Sequence, residues 1–163
     1  MTNTKAVAPI FSENGLIFTA AFASLLLGAL IYLFLRPAPV LFVNWLELIG
    51  LKQLLQVIRS STLPLHTNLP QWFVYSLPNG LWTFAYALIM TRIWWGRKTV
   101  VSYFWLGTIP LLGAGYESLQ YLGLIPGTFC PYDLLLGFLG ASLGFILVAR
   151  NMGRCGNIDS SRY

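Results

Sequence analysis

Four stretches of the chain run for about 20 residues with almost no charge, the length at which a helix crosses roughly 30 Å of hydrocarbon. The first, 16–35, is stopped by Arg36-Pro37. The second, about 72–95, ends at Arg97-Lys98, and Ser76-Leu77-Pro78-Asn79-Gly80 should bend its first turn ahead of a clean helix from Leu81. The third, 99–122, is interrupted by Pro110, Gly113 and Gly115; the fourth, 131–149, ends at Arg150. Neighbouring helices can satisfy the backbone groups that proline and glycine free within a span. The triplet Ala21-Phe22-Ala23 resembles a signal-peptidase site, but it lies inside the first apolar run rather than after it, so this run reads as an uncleaved span.

The segment 40–59 has a different pattern. From Leu51 onward Lys52, Gln53, Gln56, Arg59 and Ser60 share one helical face and Leu51, Leu54, Leu55, Val57 and Ile58 the other. Such a helix suits the plane of the interface, and Asn44 and Glu47 make a crossing costlier. The pattern predicts an all-α integral membrane helical bundle of four spans, or five, with one amphipathic interfacial or re-entrant helix. Residues 1–15 read as an N-terminal tail, 16–150 as a single membrane domain and 151–163 as a loose polar cytoplasmic tail.

Composition supports the membrane class. Of 163 residues 56% are hydrophobic and only 9% charged, against about 25% charged in a soluble domain. The net charge of +5 comes from ten Lys/Arg against five Asp/Glu. In a membrane protein such an excess sets direction. Arg92, Arg97 and Lys98 after the second span, and Arg150, Arg154 and Arg162 after the fourth, should be cytoplasmic. The expected protein is multi-pass in the plasma (inner) membrane, with a cytoplasmic C-terminus. Cys130 and Cys155 then fall on opposite sides and cannot pair. Trp72, Trp94, Trp95 and Trp105 lie near span ends, where they anchor at headgroup level rather than stack nucleic-acid bases.

An ionisable side chain inside a span is a functional candidate by default. Glu117 lies about 7–8 Å from the outer end of the third span at 1.5 Å per residue, with Gln120 on the same face at i+3. Asp133 opens the fourth span at similar depth, so these residues can meet just below the outer surface. Trp82, one turn inside the second span, can wall the same pocket, with Asn79 before it and Thr128 from the outer loop. Two close carboxyls suit general acid/base chemistry or an oxygen-ligand site, but one Glu and one Asp name no metal, and no cofactor is implied. Structural roles compete with this: Asp133 as a helix cap, Glu117 as a hydrogen-bonded core group. Gly140-Ala141-Ser142-Leu143-Gly144 fits the G-x-S-x-G pattern of serine hydrolases, yet it sits mid-helix, and the lone histidine, His66, is in a distant loop. Gly137, Gly140 and Gly144 instead form a face for close helix packing.

Tyr116-Glu117-Ser118-Leu119-Gln120, then Gly127-Thr128-Phe129, Asp133, Gly137, Gly140 and Gly144 resemble the VanZ-like family of small membrane proteins. The resemblance covers about the last third of the chain. It implies a span with E-x-x-Q, a loop ending in Asp and a glycine-containing span, with Glu117, Gln120 and Asp133 as the site residues. Many members carry an Arg before that Asp and an Asn after it; here the stretch reads Thr128-Phe129-Cys130-Pro131-Tyr132-Asp133, with Gly137 beyond. Two functions are then expected. One is a cell-envelope protein that binds, and modifies if it is an enzyme, a lipid-linked or headgroup substrate at a shallow outer-leaflet pocket. The other is a non-catalytic accessory subunit packed against a larger membrane protein complex. Membrane lipid is the expected partner in the first.

Overall fold

The computed structural model describes residues 11–36, 50, 52–66, 68–126 and 128–160. Helix α1 spans Phe11–Leu35, α2 Lys52–His66, α3 Gln71–Tyr75, α4 Leu77–Trp94 and α5 Val100–Pro110. A π-helical turn, Leu111–Gly115, joins α5 to α6, Tyr116–Tyr121, and α7 runs over Pro131–Ser160. There is no strand among the described residues.

Among the described residues two helices, not four or five, are long and apolar enough to cross a membrane: Gly15–Leu35 of α1 and Pro131–Met152 of α7. Only 22% and 28% of their most apolar windows are buried. A helix at the core of a soluble protein would hide most of its surface. These two instead leave Phe22, Leu26, Leu139 and Leu143 exposed, which fits an apolar surrounding medium.

The other two expected spans are broken. In 72–95 the chain breaks at Ser76, between α3 and α4, so Pro78, Asn79 and Gly80 belong to the first turn of α4 rather than to a bend before Leu81. Proline is at home there, because the first helical N–H groups have no intrahelical acceptor. The expected third span divides into α5, the π turn and α6. Pro110 lacks the N–H that would bond the carbonyl of Leu106, and the π turn absorbs the irregularity.

Two further boundaries differ from expectation. Helix α2 continues seven residues past Arg59 and takes in Pro64 and His66, so the histidine is helical rather than in a loop. Helix α7 continues to Ser160, so 151–160, with Cys155, are helical rather than a loose tail. Residues 1–10, the 40–49 part of the interfacial segment with Asn44 and Glu47, Gly127 and the last three residues lie outside the described residues.

Helix α4 is the centre of the bundle, packed between α1 and α7. Ile17 and Ala21 of α1, Ala85 and Leu88 of α4, and Val148 of α7 form one buried cluster. These pairings run α1 antiparallel to both α4 and α7. A second cluster joins Ala87, Ile109 and Ala141, bringing α5 against the same pair. The α4–α7 seam depends on small residues. A Cβ at Gly140 would strike the Gly80 carbonyl oxygen, and one at Gly144 would lie 2.7 Å from Ala87 Cβ and 2.8 Å from the Phe84 carbonyl oxygen. Gly137 meets the Gly113 backbone of the π turn in the same way.

Local sequence closes the helix ends. Thr99 caps α5: its side chain accepts from Ser102 N at 3.2 Å, and Ser102 Oγ accepts from Thr99 N at 3.1 Å. Helix α6 stops at Gly123, whose φ of +69° only glycine adopts without strain. There Leu124 N donates to the Leu119 carbonyl at 2.9 Å and Gly123 N to that of Gln120 at 3.0 Å, a Schellman end. The end of α1 is held by α2. Arg59 donates to the carbonyls of Leu33 (3.1 Å) and Arg36 (2.8 Å), and Thr62 Oγ1 donates to that of Phe34 at 2.8 Å. A cation at a helix C-terminus satisfies orphan carbonyls and opposes the helix dipole.

Candidate functional site

The antiparallel run of α1 against α4 and α7 brings the end of α1 beside the beginnings of the other two. A cavity of about 540 Å³ opens there. Helix α4 contributes Pro78, Asn79 and Trp82, the segment after the π turn contributes Tyr116, Glu117 and Gln120, and the chain leading into α7 contributes Thr128 and Asp133. Tyr32 and Arg36 enter from α1, and Tyr75 from α3. The structure therefore gathers Glu117, Gln120, Asp133, Trp82, Asn79 and Thr128 around one space. Gly137, Gly140 and Gly144 lie on the packing seam below it.

Each side chain is placed by its neighbours. Trp82 Nε1 donates to the Leu25 carbonyl at 3.3 Å, and its ring meets Tyr32 at 5.5 Å between centroids. Gly28 makes this crossing possible, since a Cβ there would sit 2.5 Å from Trp82 Nε1. Glu117 is only 5% exposed, and its Oε2 accepts from Cys130 N at 3.0 Å. Cys130 immediately precedes α7, and its carbonyl accepts from Asp133 N and Leu134 N at 3.1 and 3.2 Å. The carboxylate thus ties α6 to the opening of α7 and sits near that helix's positive end. Cys130 Sγ also lies 3.8 Å from Ser76 Oγ, linking this junction to the break before α4.

Asp133 lies in the first turn of α7, where a negative charge is favoured. Its Oδ1 is buried without a hydrogen-bond partner among the described residues, as is Oε1 of Gln120. Unsatisfied buried acceptors are rare in folded proteins, and each calls for an explanation. Among the described residues no three His, Cys, Asp or Glu side chains cluster as metal ligands.

Arg36, which the sequence marks only as the stop of the first apolar run, joins the site. Its guanidinium lies 4.8 Å from the Tyr32 ring centroid and 5.4 Å from that of Tyr75, both cation–π distances. It also lines an adjoining cavity of about 290 Å³ with Gln71, Trp72, Ser76 and Cys130. A charge that terminates an apolar run marks the membrane surface, and that is the hint the sequence carries. Its contact with Tyr75, and the cavity it shares with Asp133, are long-range features that no local pattern carries.

The chain matches no protein-family model, no curated protein and no solved structure.

Proposed function

We propose that the chain is a small membrane protein of the cell envelope whose polar cavity receives the headgroup of a lipid or lipid-linked molecule. One observation carries this: Arg36, Glu117, Gln120 and Asp133 converge on a single cavity where two outward-apolar helices, α1 and α7, end and begin. The aromatic wall of Tyr32, Tyr75, Trp82 and Tyr116 has the amphipathic character of side chains at headgroup depth.

Direction follows from charge. Arg92, Arg97, Lys98 and Arg150 lie at the bundle end opposite the cavity, against Arg36 and Arg59 at the cavity end, and by the positive-inside rule this excess supports a cytoplasmic C-terminus and a cavity at the outer leaflet. The VanZ-like resemblance is in keeping with a cell-envelope role. Glu117 is engaged by the Cys130 N–H, which favours binding and positioning over proton transfer for this residue.

A photoreactive amino acid at Thr128, with another at the exposed Tyr103 on α5 as reference, tests the reading in bilayers containing headgroup-labelled lipid. The expected result is a labelled-headgroup adduct from position 128 well above that from 103. Equal labelling at the two positions would overturn the proposal.

A further inference from the structure

Three features of the cavity bear on the headgroup it accepts. The first is its cation. Tyr32 and Tyr75 stack near the Arg36 guanidinium and fix its position, and a guanidinium recognises phosphate by paired N–H donors. The second is the pair of buried acceptors, Gln120 Oε1 and Asp133 Oδ1, with no donor among the described residues. A phosphate cannot satisfy them, because it too is an acceptor. N–H or O–H groups on a ligand would satisfy them. The third is continuity with an apolar space. Asn79, Trp82 and Tyr116 also border a cavity of about 450 Å³ whose other walls include Leu25, Ile89 and Leu112. This second cavity shares those three residues with the polar one and lies against α4 and the π turn, with Leu25 of α1 on its other side.

We infer that the site takes a phospholipid-type amphiphile whose headgroup joins a phosphate to a hydrogen-bond donor. Its phosphate sits on Arg36, its amine or hydroxyl groups face Asp133 and Gln120, and one chain lies in the groove between Leu25 and Leu112. This rests on the headgroup-binding reading above and adds the chemistry that selects among headgroups. Phosphatidylethanolamine and phosphatidylglycerol meet both requirements. Phosphatidylcholine has the phosphate, but its quaternary ammonium has no N–H to offer.

The test uses the full chain, delipidated in detergent and offered an equimolar mixture of these three lipids with identical acyl chains, with retention read by native mass spectrometry. The expected result is phosphatidylethanolamine and phosphatidylglycerol each held about tenfold over phosphatidylcholine, the scale of one hydrogen bond to a charged partner. Arg36→Gln should weaken all three lipids alike, with partial recovery in Arg36→Lys, which keeps the charge but loses the fork. Asp133→Ala combined with Gln120→Leu, which removes both acceptor oxygens, should bring the two donor lipids down to the phosphatidylcholine level. Soluble phosphoethanolamine should displace bound lipid only at about a hundredfold excess, because it lacks the chain. Displacement at equal concentration would assign the site to a free phosphate ester and overturn the lipid. Equal retention of the three lipids, or a preference for phosphatidylcholine, would overturn the donor requirement while leaving headgroup binding intact. Retention of none, in the parent chain and all variants, would overturn both.

Discussion

Along α7, the first turn and the later turns meet their neighbours in opposite ways. From Gly137 to Val148 the helix lies against α4 and the π turn with glycine against backbone, and Gly137, Gly140, Ala141, Gly144 and Val148 all face that contact. No polar side chain is needed to hold the seam. At the first turn the same helix faces an open cavity, the preceding Cys130 held by Glu117 and its Asp133 left with an unpartnered oxygen. Close packing gives the seam its stability, because dispersion contacts are lost steeply as surfaces separate. The cavity end gives up packing and leaves polar groups around an open space.

Substitutions test this contrast directly, and the largest effect belongs to the seam. Gly140→Leu would drive a branched side chain into the Gly80 backbone, which cannot move aside as a flexible side chain would. Overpacking of this kind costs about 3 kcal/mol or more. The expected outcome is loss of the cooperative thermal transition in detergent; a melting temperature equal to that of the parent would show that the seam does not hold the bundle together. Next comes Glu117→Ala, which strips the acceptor from Cys130 N and leaves a desolvated donor. A destabilisation of about 1–3 kcal/mol is expected by denaturant or thermal unfolding, with Glu117→Gln recovering part of it through its carbonyl oxygen.

Arg59→Ala should have a smaller effect. It removes the donors at the Leu33 and Arg36 carbonyls, which then turn to water or headgroups, at a cost of about 1 kcal/mol. Hydrogen exchange should show faster opening of α2 with little change in α4 and α7. The smallest stability change belongs to Asp133→Asn, about 0.3–1 kcal/mol from the lost helix-end charge. A large destabilisation there would mean that Asp133 is a cap rather than a group kept for a ligand, and the two ends of α7 would then differ less than their packing suggests.

Much of the candidate site is legible in the sequence because its members carry their own signals. A carboxyl in an apolar run is conspicuous, i+3 spacing places Gln120 with Glu117, and a short loop limits how far Asp133 can be. The glycine stripe of α7 shows in its spacing. The helices themselves are less legible. Mean hydropathy makes 72–95 and 99–122 look like spans, but it does not register where hydrogen bonding shifts, at Ser76 and beyond Pro110. The π turn is one such place: it inserts an extra residue per turn and rotates the residues beyond it, so the face on which Glu117 lands depends on it. Polarity likewise suggests that α7 ends near Arg150, although a helix with polar residues in its last turns can continue into water. Arg36 is visible only as punctuation, because Tyr75 and most of the residues that share its cavity lie on later helices, far along the chain.

The clasp between α2 and α1 has a mechanical consequence. Arg59 grips the carbonyl of Arg36, the residue whose side chain stands over the cavity. A surface helix and the mouth of the site therefore share one joint. Whatever shifts α2 against α1, a neighbouring protein for example, pulls on the backbone from which that guanidinium hangs.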